Sequence, residues 1–144
     1  MVYIGSDSVL PTTPPWTEEN PRFYVELAND AVAEKVRSQL RKQLIVHAGS
    51  HEGCGCGFEC GEWKVIGRDA DEERQAVDSL GALHSYLVEV TKLAPVDVYV
   101  CWANEEGLPA TAECTVTPSH FEGNSFLFFD PPKMTGRLLL HVVA

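Results

Sequence analysis

The residues best suited to chemistry lie in one short segment that is rich in glycine and cysteine. Residues 49–61 hold five of the eleven glycines and three of the five cysteines in a chain of 144 residues. Thiolates and imidazoles bind transition metals, and thiolates also act as nucleophiles and redox groups. We therefore expect any chemistry of this protein in residues 47–60, named here the Cys/Gly segment. Its candidate side chains are His47, His51, Cys54, Cys56 and Cys60.

The first interpretation of the segment is a metal site. Zinc in proteins takes four ligands, usually cysteine sulfurs and histidine nitrogens, and soft thiolates also accept Cu(I). We expect Zn as the metal. The C-x-C spacing is less diagnostic than C-x2-C, and no second ligand pair follows downstream as it does in zinc ribbons. The predicted ligands are His51, Cys54, Cys56 and Cys60, with His47 as a substitute for His51.

The second interpretation is thiol chemistry, either nucleophilic or redox. A neighbouring cation lowers the pKa of a thiol, and His51 is close enough in sequence to act on Cys54 or Cys56. The two cysteines could also cycle through a disulfide, and their short separation predicts a tight ring that is easily reduced.

The third interpretation is a non-catalytic structural or protein-interaction domain in which the segment is only a tight glycine turn. The cysteines would then fill small spaces, and Phe58 would be a hydrophobic plug. Phosphate binding is not favoured, because neither a P-loop ending nor the G-x-G-x-x-G spacing is present. No nucleophile elbow appears, and His120 and His141 show no partner pattern. The sequence leaves open whether the protein is an enzyme.

The segment also carries a distinctive motif. Residues 49–58 read GSHEGCGCGF, and Leu10-Pro11, Pro15-Trp16 and residues 19–21 precede them. Over about the first 60 residues the chain resembles a small bacterial protein family with a G-S-H-x-G-C-G-C-G-F stretch and no established activity. The resemblance implies no catalytic role for any position. Cys60 lies outside the matching motif, which weakens a four-ligand site that depends on it.

Charge restricts the class of partner. The chain has 11 basic and 21 acidic residues, a net charge of −10. Because nucleic-acid binding draws affinity from Lys and Arg contacts, we expect neither nucleic acid nor an anionic membrane as partner. The sequence does not identify a protein partner or a small ligand. The first residues lack the basic and apolar regions of a secretory signal, so the expected location is cytoplasmic. The one basic cluster is interleaved with Glu34 and is typical of a solvated helix face: Lys35, Arg37, Arg41 and Lys42.

The helices and strands that must position the Cys/Gly segment can be predicted from the sequence. Their order along the chain predicts an α+β fold in a single domain, residues 1–144. Strict β-α-β alternation is absent, which favours a mainly antiparallel sheet of about five or six strands. A long helix near 70–93 and a short helix near 30–42 are expected to cover it. The strand candidates are 2–9, 23–27, 44–48, 96–102, 111–117, 125–129 and 137–143, with a brief pairing near 63–66.

Two of these elements bear directly on the segment. Residues 44–48 are a continuous apolar run, which predicts a strand covered on both faces, and the Cys/Gly segment begins where that strand ends. The long helix begins after Asp69 with acidic residues and carries an apolar stripe that includes Val77, Leu80 and Leu83. Gly81 interrupts this helix at a cost of roughly 1 kcal/mol relative to Ala. We therefore expect close packing at Gly81.

Overall fold

The computed structural model describes residues 1–60, 67–122 and 136–144. Within these residues the fold is α+β, as the sequence predicts. Short 3-10 helices occur at Gly55–Phe58 and Pro118–Phe121. The strands and α-helices are β1 (Val2–Ser6), β2 (Tyr24–Leu27), α1 (Asp30–Leu40), β3 (Leu44–Gly49), α2 (Ala70–Thr91), β4 (Val96–Val100), β5 (Ala112–Val116) and β6 (Leu138–Val142).

The described strands form one sheet in the order β2-β3-β1-β4-β6-β5. Every neighbouring pair is antiparallel except β5 and β6, which run parallel, so the expectation of a mainly antiparallel sheet is confirmed. The strand candidate 125–129 and the pairing near 63–66 lie outside the described residues. Among the described residues, neither helix combines the length and apolar composition that a membrane-spanning helix needs.

The long helix covers one face of the sheet. Asp69 caps it: its carboxylate accepts from the N–H groups of Asp71 and Glu72, and Glu72 accepts in return from the N–H of Asp69. Such a reciprocal cap satisfies N–H groups that a helix start leaves unpaired. The helix ends at Thr91, two residues before the predicted position. The residues of α2 that enter the core on this face are Ala76, Leu80, Leu83, Leu87 and Val90.

Two details of α2 differ from the sequence prediction. The expectation of close packing at Gly81 is wrong, because the residue is exposed and a Cβ built there meets no atom within 4 Å. Val77, assigned to the apolar stripe, is 41% exposed. The helix therefore buries a narrower stripe than its apolar composition indicates.

The short helix covers the opposite face of the sheet. Val36 and Leu40 of α1 join a second core cluster with Tyr3, Ile45 and Tyr99. Alternate residues of β3 therefore enter different cores, which confirms the prediction of a strand covered on both faces. The helix ends at Leu40 instead of residue 42, because Arg41 adopts a left-handed conformation with φ of 51°.

Candidate functional site

The Cys/Gly segment leaves β3 at Gly49 and turns back on itself. The N–H and the hydroxyl of Ser50 both donate to the carbonyl of Cys54, at 2.8 and 2.7 Å, and the N–H of Gly53 donates to the carbonyl of Ser50 at 3.1 Å. Residues Gly55–Phe58 then form a 3-10 helix whose last residue, Phe58, is fully buried in the α2-side core. The predicted burial of Phe58 as a hydrophobic plug is thus confirmed. The hydrogen bonds from Ser50 fix the position of Cys54.

The turn depends on glycine at two positions. Gly53 has a φ of +73°, a conformation that L side chains rarely adopt. Gly57 has no room for a side chain, since a Cβ would lie 2.2 Å from Ser50 Oγ and 2.8 Å from His51 Cε1. The backbone next to Cys56 therefore lies directly against the His51 ring.

Side chains from distant parts of the chain hold the outside of the turn. The indole N–H of Trp16 donates to the carbonyl of His51 at 2.7 Å, and the Tyr24 hydroxyl donates to the carbonyl of Gly53 at 2.9 Å. The Trp16 ring also lies against Gly53. Trp16, in the proline-rich residues 11–21 before β2, and Tyr24 of β2 thus anchor the Cys/Gly segment.

Cys54 and Cys56 form a disulfide in this structure, with their Cα atoms 5.5 Å apart. Cys56 is exposed and Cys54 is half-buried. The N–H of Cys56 donates to Cys54 Sγ at 3.3 Å. The pair therefore has an outer sulfur that a solute can reach and an inner sulfur that the backbone partly shields.

Glu52 is the third donor at this position. One carboxylate oxygen of Glu52 and the sulfurs of Cys54 and Cys56 all lie within 4.8 Å of one another. Such a group of one oxygen and two sulfurs could hold a metal ion when the cysteines are thiolates. Glu52 is absent from the ligand set that the sequence predicts, although its place inside the motif, two residues before Cys54, is a signal for it.

Arg68 lies next to the same group and is almost fully buried, with a side-chain exposure of 5%. Its guanidinium donates to Glu52 Oε1 at 2.5 Å, to the carbonyl of Cys56 at 3.3 Å and to the carbonyl of Glu59. No spacing in the sequence indicated this residue, because it is 12 positions beyond Cys56 and belongs to the approach to α2. Arg68 fixes the segment and places a positive charge beside the Cys56 carbonyl, where it pairs with the Glu52 carboxylate.

His51, a predicted ligand, lies beside the three-donor group but is not part of it. Its ring is buried, with Nδ1 3.1 Å from Ser79 Oγ and Nε2 3.7 Å from Glu52 Oε1. Burial lowers the pKa of His51 below its ordinary value of 6.5 and so favours the neutral imidazole. The ring also lines a cavity of about 410 Å³ together with Phe23.

The other two predicted donors lie away from the group. Cys60 is 2% exposed and belongs to the α2-side core, where burial raises the pKa of its thiol. His47 lies between the rings of Tyr3 and Tyr24, and burial lowers its pKa. Of the predicted set, the structure thus brings together Cys54 and Cys56, and it adds Glu52 and Arg68.

No protein family model, curated protein or solved structure matches this chain. The family resemblance of the motif at residues 49–58 therefore stays a prediction, and the function must be inferred from the site itself.

Proposed function

We propose that Cys54 and Cys56 are a redox-active pair that exchanges with thiols and disulfides of other molecules. The observation that carries the proposal is the disulfide between two neighbouring cysteines, one of which is exposed at the surface. Reactive disulfides require such access, since an attacking thiolate must reach one sulfur directly.

In the proposed exchange the two sulfurs have different roles, because Cys56 is exposed and Cys54 is half-buried. An incoming thiolate attacks the exposed Cys56 Sγ and forms a mixed disulfide, and Cys54 leaves as a thiolate. The N–H of Cys56, 3.3 Å from Cys54 Sγ, stabilises the charge on that sulfur. A second thiolate then attacks the small-molecule sulfur of the mixed disulfide and releases Cys56 as a thiolate. The products are the Cys54 and Cys56 thiolates and one small-molecule disulfide, so the pair has accepted two electrons.

Arg68 supports this chemistry by its charge. A cation near a thiol favours the thiolate and lowers the pKa of the thiol. We expect Arg68→Met to slow alkylation of reduced Cys56 at pH 7 by roughly tenfold, which corresponds to a rise in the pKa of the thiol of about one unit. Arg68→Lys retains the charge and is the matched control. Equal alkylation rates in all three proteins would show that Arg68 has only a structural role.

The main test is a redox titration in glutathione buffers, followed by alkylation and mass measurement. We expect Cys54 and Cys56 to convert together in one two-electron transition, and the Cys60→Ser control to retain it. The Cys54→Ser variant should instead accumulate a mixed disulfide between Cys56 and glutathione. A pair that resists excess dithiothreitol, or that stays reduced in excess glutathione disulfide, would contradict the proposal.

A second candidate function is zinc binding by the reduced segment, favoured by the three donor atoms within 4.8 Å. Glu52, Cys54 and Cys56 would supply three ligands. His51 Nε2, 3.7 Å from Glu52 Oε1, is the candidate for a fourth. Elemental analysis of the reduced protein should give one zinc per chain, and thiol titration should find Cys54 and Cys56 masked by the metal. A Cys54→Ser/Cys56→Ser variant should bind no zinc. Metal-free protein with freely titrating thiols after exposure to zinc would exclude this role.

The proposal includes a reducing, cytoplasmic location and a thiol or disulfide substrate, with no nucleic acid or anionic membrane as partner. Cys101 and Cys114 are free thiols, and free thiols persist where disulfides are kept reduced. The net charge of −10 repels phosphate groups. If the pair neither exchanges nor binds zinc, the segment is a glycine turn in a structural or interaction domain.

A further inference from the structure

We infer that the oxidation state of Cys54 and Cys56 controls metal occupancy, so that the dithiol form binds Zn²⁺ with Glu52 and the disulfide form releases it. This inference rests on the two functions proposed above and links them. It follows from the fact that the disulfide and the three-donor group use the same two sulfur atoms.

The two states exclude each other for a chemical reason. Zinc binds the thiolate form of cysteine, whose negative charge resides on sulfur. In the disulfide that charge is gone, because both sulfurs have given up an electron to form the S–S bond. Of the three donors, the oxidised segment then retains only the Glu52 carboxylate, and a single carboxylate does not hold zinc against water.

Arg68 provides Glu52 with a partner when the metal is absent. Its guanidinium donates to Glu52 Oε1 at 2.5 Å and is held in place by the carbonyls of Cys56 and Glu59. A metal ion at the three-donor group would need the same carboxylate. Arg68 and zinc therefore compete for Glu52, and the charge of Arg68 opposes the cation.

The release step balances without any change in the charge of zinc. One zinc-bound thiolate attacks a low-molecular-mass disulfide, forms a mixed disulfide and frees one small thiolate. The second thiolate then attacks the protein sulfur of the mixed disulfide and frees the other small thiolate. The products are the Cys54–Cys56 disulfide, two small thiolates and Zn²⁺, and the small disulfide has accepted the two electrons.

The experiment measures the midpoint potential of the pair in glutathione buffers at several fixed concentrations of free zinc. Because zinc stabilises only the reduced form, the midpoint potential should rise, becoming less negative, by about 30 mV for each tenfold rise in free zinc above the dissociation constant. Without added zinc, Cys60→Ser should titrate as the parent protein does, since Cys60 is not in the three-donor group.

Two variants should move the zinc dependence in opposite directions. Glu52→Gln keeps an oxygen that can accept from Arg68 but loses a charged ligand, so the midpoint potential should begin to rise only at roughly tenfold higher zinc. Measured at a pH at which both thiols are ionised in the parent and in the variant, Arg68→Met removes the competitor for Glu52, so the rise should begin at lower zinc. Both should retain the disulfide in the oxidised state.

The outcomes separate this inference from the proposed functions. A midpoint independent of zinc, in a reduced protein that binds zinc, means that both states bind equally and overturns the inference alone. A pair that cycles while the reduced protein binds no zinc overturns the inference and the zinc function and leaves the redox function intact. A pair that does not cycle overturns the redox function and this inference together.

Discussion

His141 shows how much a single side chain depends on its neighbours in the sheet. Its Nδ1 lies 2.7 Å from Asp97 Oδ1, and its Nε2 lies 2.7 Å from Glu113 Oε1. Ionised carboxylates only accept hydrogen bonds, so both ring nitrogens must carry protons. The hydrogen bonds to Glu113 and Asp97 accordingly raise the pKa of His141 above its ordinary value of 6.5.

This arrangement predicts a pH-dependent contribution to stability. Because the pKa is raised in the folded state, the contribution of His141 is complete below pH 6.5 and is lost as pH rises through the raised pKa. His141→Gln should lower the free energy of unfolding by about 1 kcal/mol at pH 5.5, since solvent screens this partly exposed site, and by less at pH 8. Urea unfolding at both pH values checks this. Equal losses at the two pH values would contradict it.

At the residue scale, the sequence predicts some members of the candidate site and not others. Cys54 and Cys56 were predictable, because residue type and spacing alone indicate thiol or metal chemistry. Arg68 was not predictable from the sequence. Its role depends on the path by which the chain comes back to Glu52 and Cys56 before α2 begins. The sequence predicts His51 as a ligand, but the lowered pKa of His51 and its hydrogen bond to Ser79 follow from burial against α2.

At the scale of elements, Gly81 of α2 is a position at which the described structure has room for a larger side chain. Gly81 lies inside the helix, is exposed, and has no atom within 4 Å of a built Cβ. Glycine in a helix interior is less favourable than alanine because its unfolded backbone has more freedom.

Gly81→Ala should therefore raise the free energy of unfolding by about 0.5 to 1 kcal/mol. Thermal and urea unfolding of the reduced protein provide the measurement. The redox behaviour of Cys54 and Cys56 should stay as in the parent, which serves as the control. A destabilised Gly81→Ala variant would mean that the helix is packed at this position.

At the scale of the whole molecule, the sheet is an internal layer between two helices. Val2 and Ile4 of β1 join the α2-side core, whereas Tyr3 joins the α1-side core. The α2-side core also contains Phe58, so the helix supports the Cys/Gly segment as well as the sheet. Loss of packing along α2 should therefore destabilise the fold and the site together.

A matched pair of substitutions on α2 tests this. Leu83 is fully buried and Val77 is 41% exposed. Leu83→Ala should lower the free energy of unfolding by about 2 to 5 kcal/mol through lost burial and a residual cavity. Val77→Ala should change it by no more than about 0.5 kcal/mol. Comparable effects of the two substitutions in urea unfolding would contradict the described packing of the helix.

The amino-acid sequence by itself determined the features that follow from local periodicity and residue type. These are the helices and the strands of the described residues, the mainly antiparallel sheet, and the segment where thiol chemistry is possible. Local hydrogen bonding and apolar periodicity act over a few residues, so a short stretch of sequence is enough to indicate a helix or a strand.

The tertiary structure alone decided which groups meet. Strand register placed Asp97 opposite His141, and the path of the chain into α2 placed Arg68 on Glu52. It also placed Cys60 in the core, away from Cys54 and Cys56, with which the sequence predicts a shared metal site. These contacts join residues that are far apart in the sequence. Their energies depend on distance, burial and charge, which only the folded chain defines.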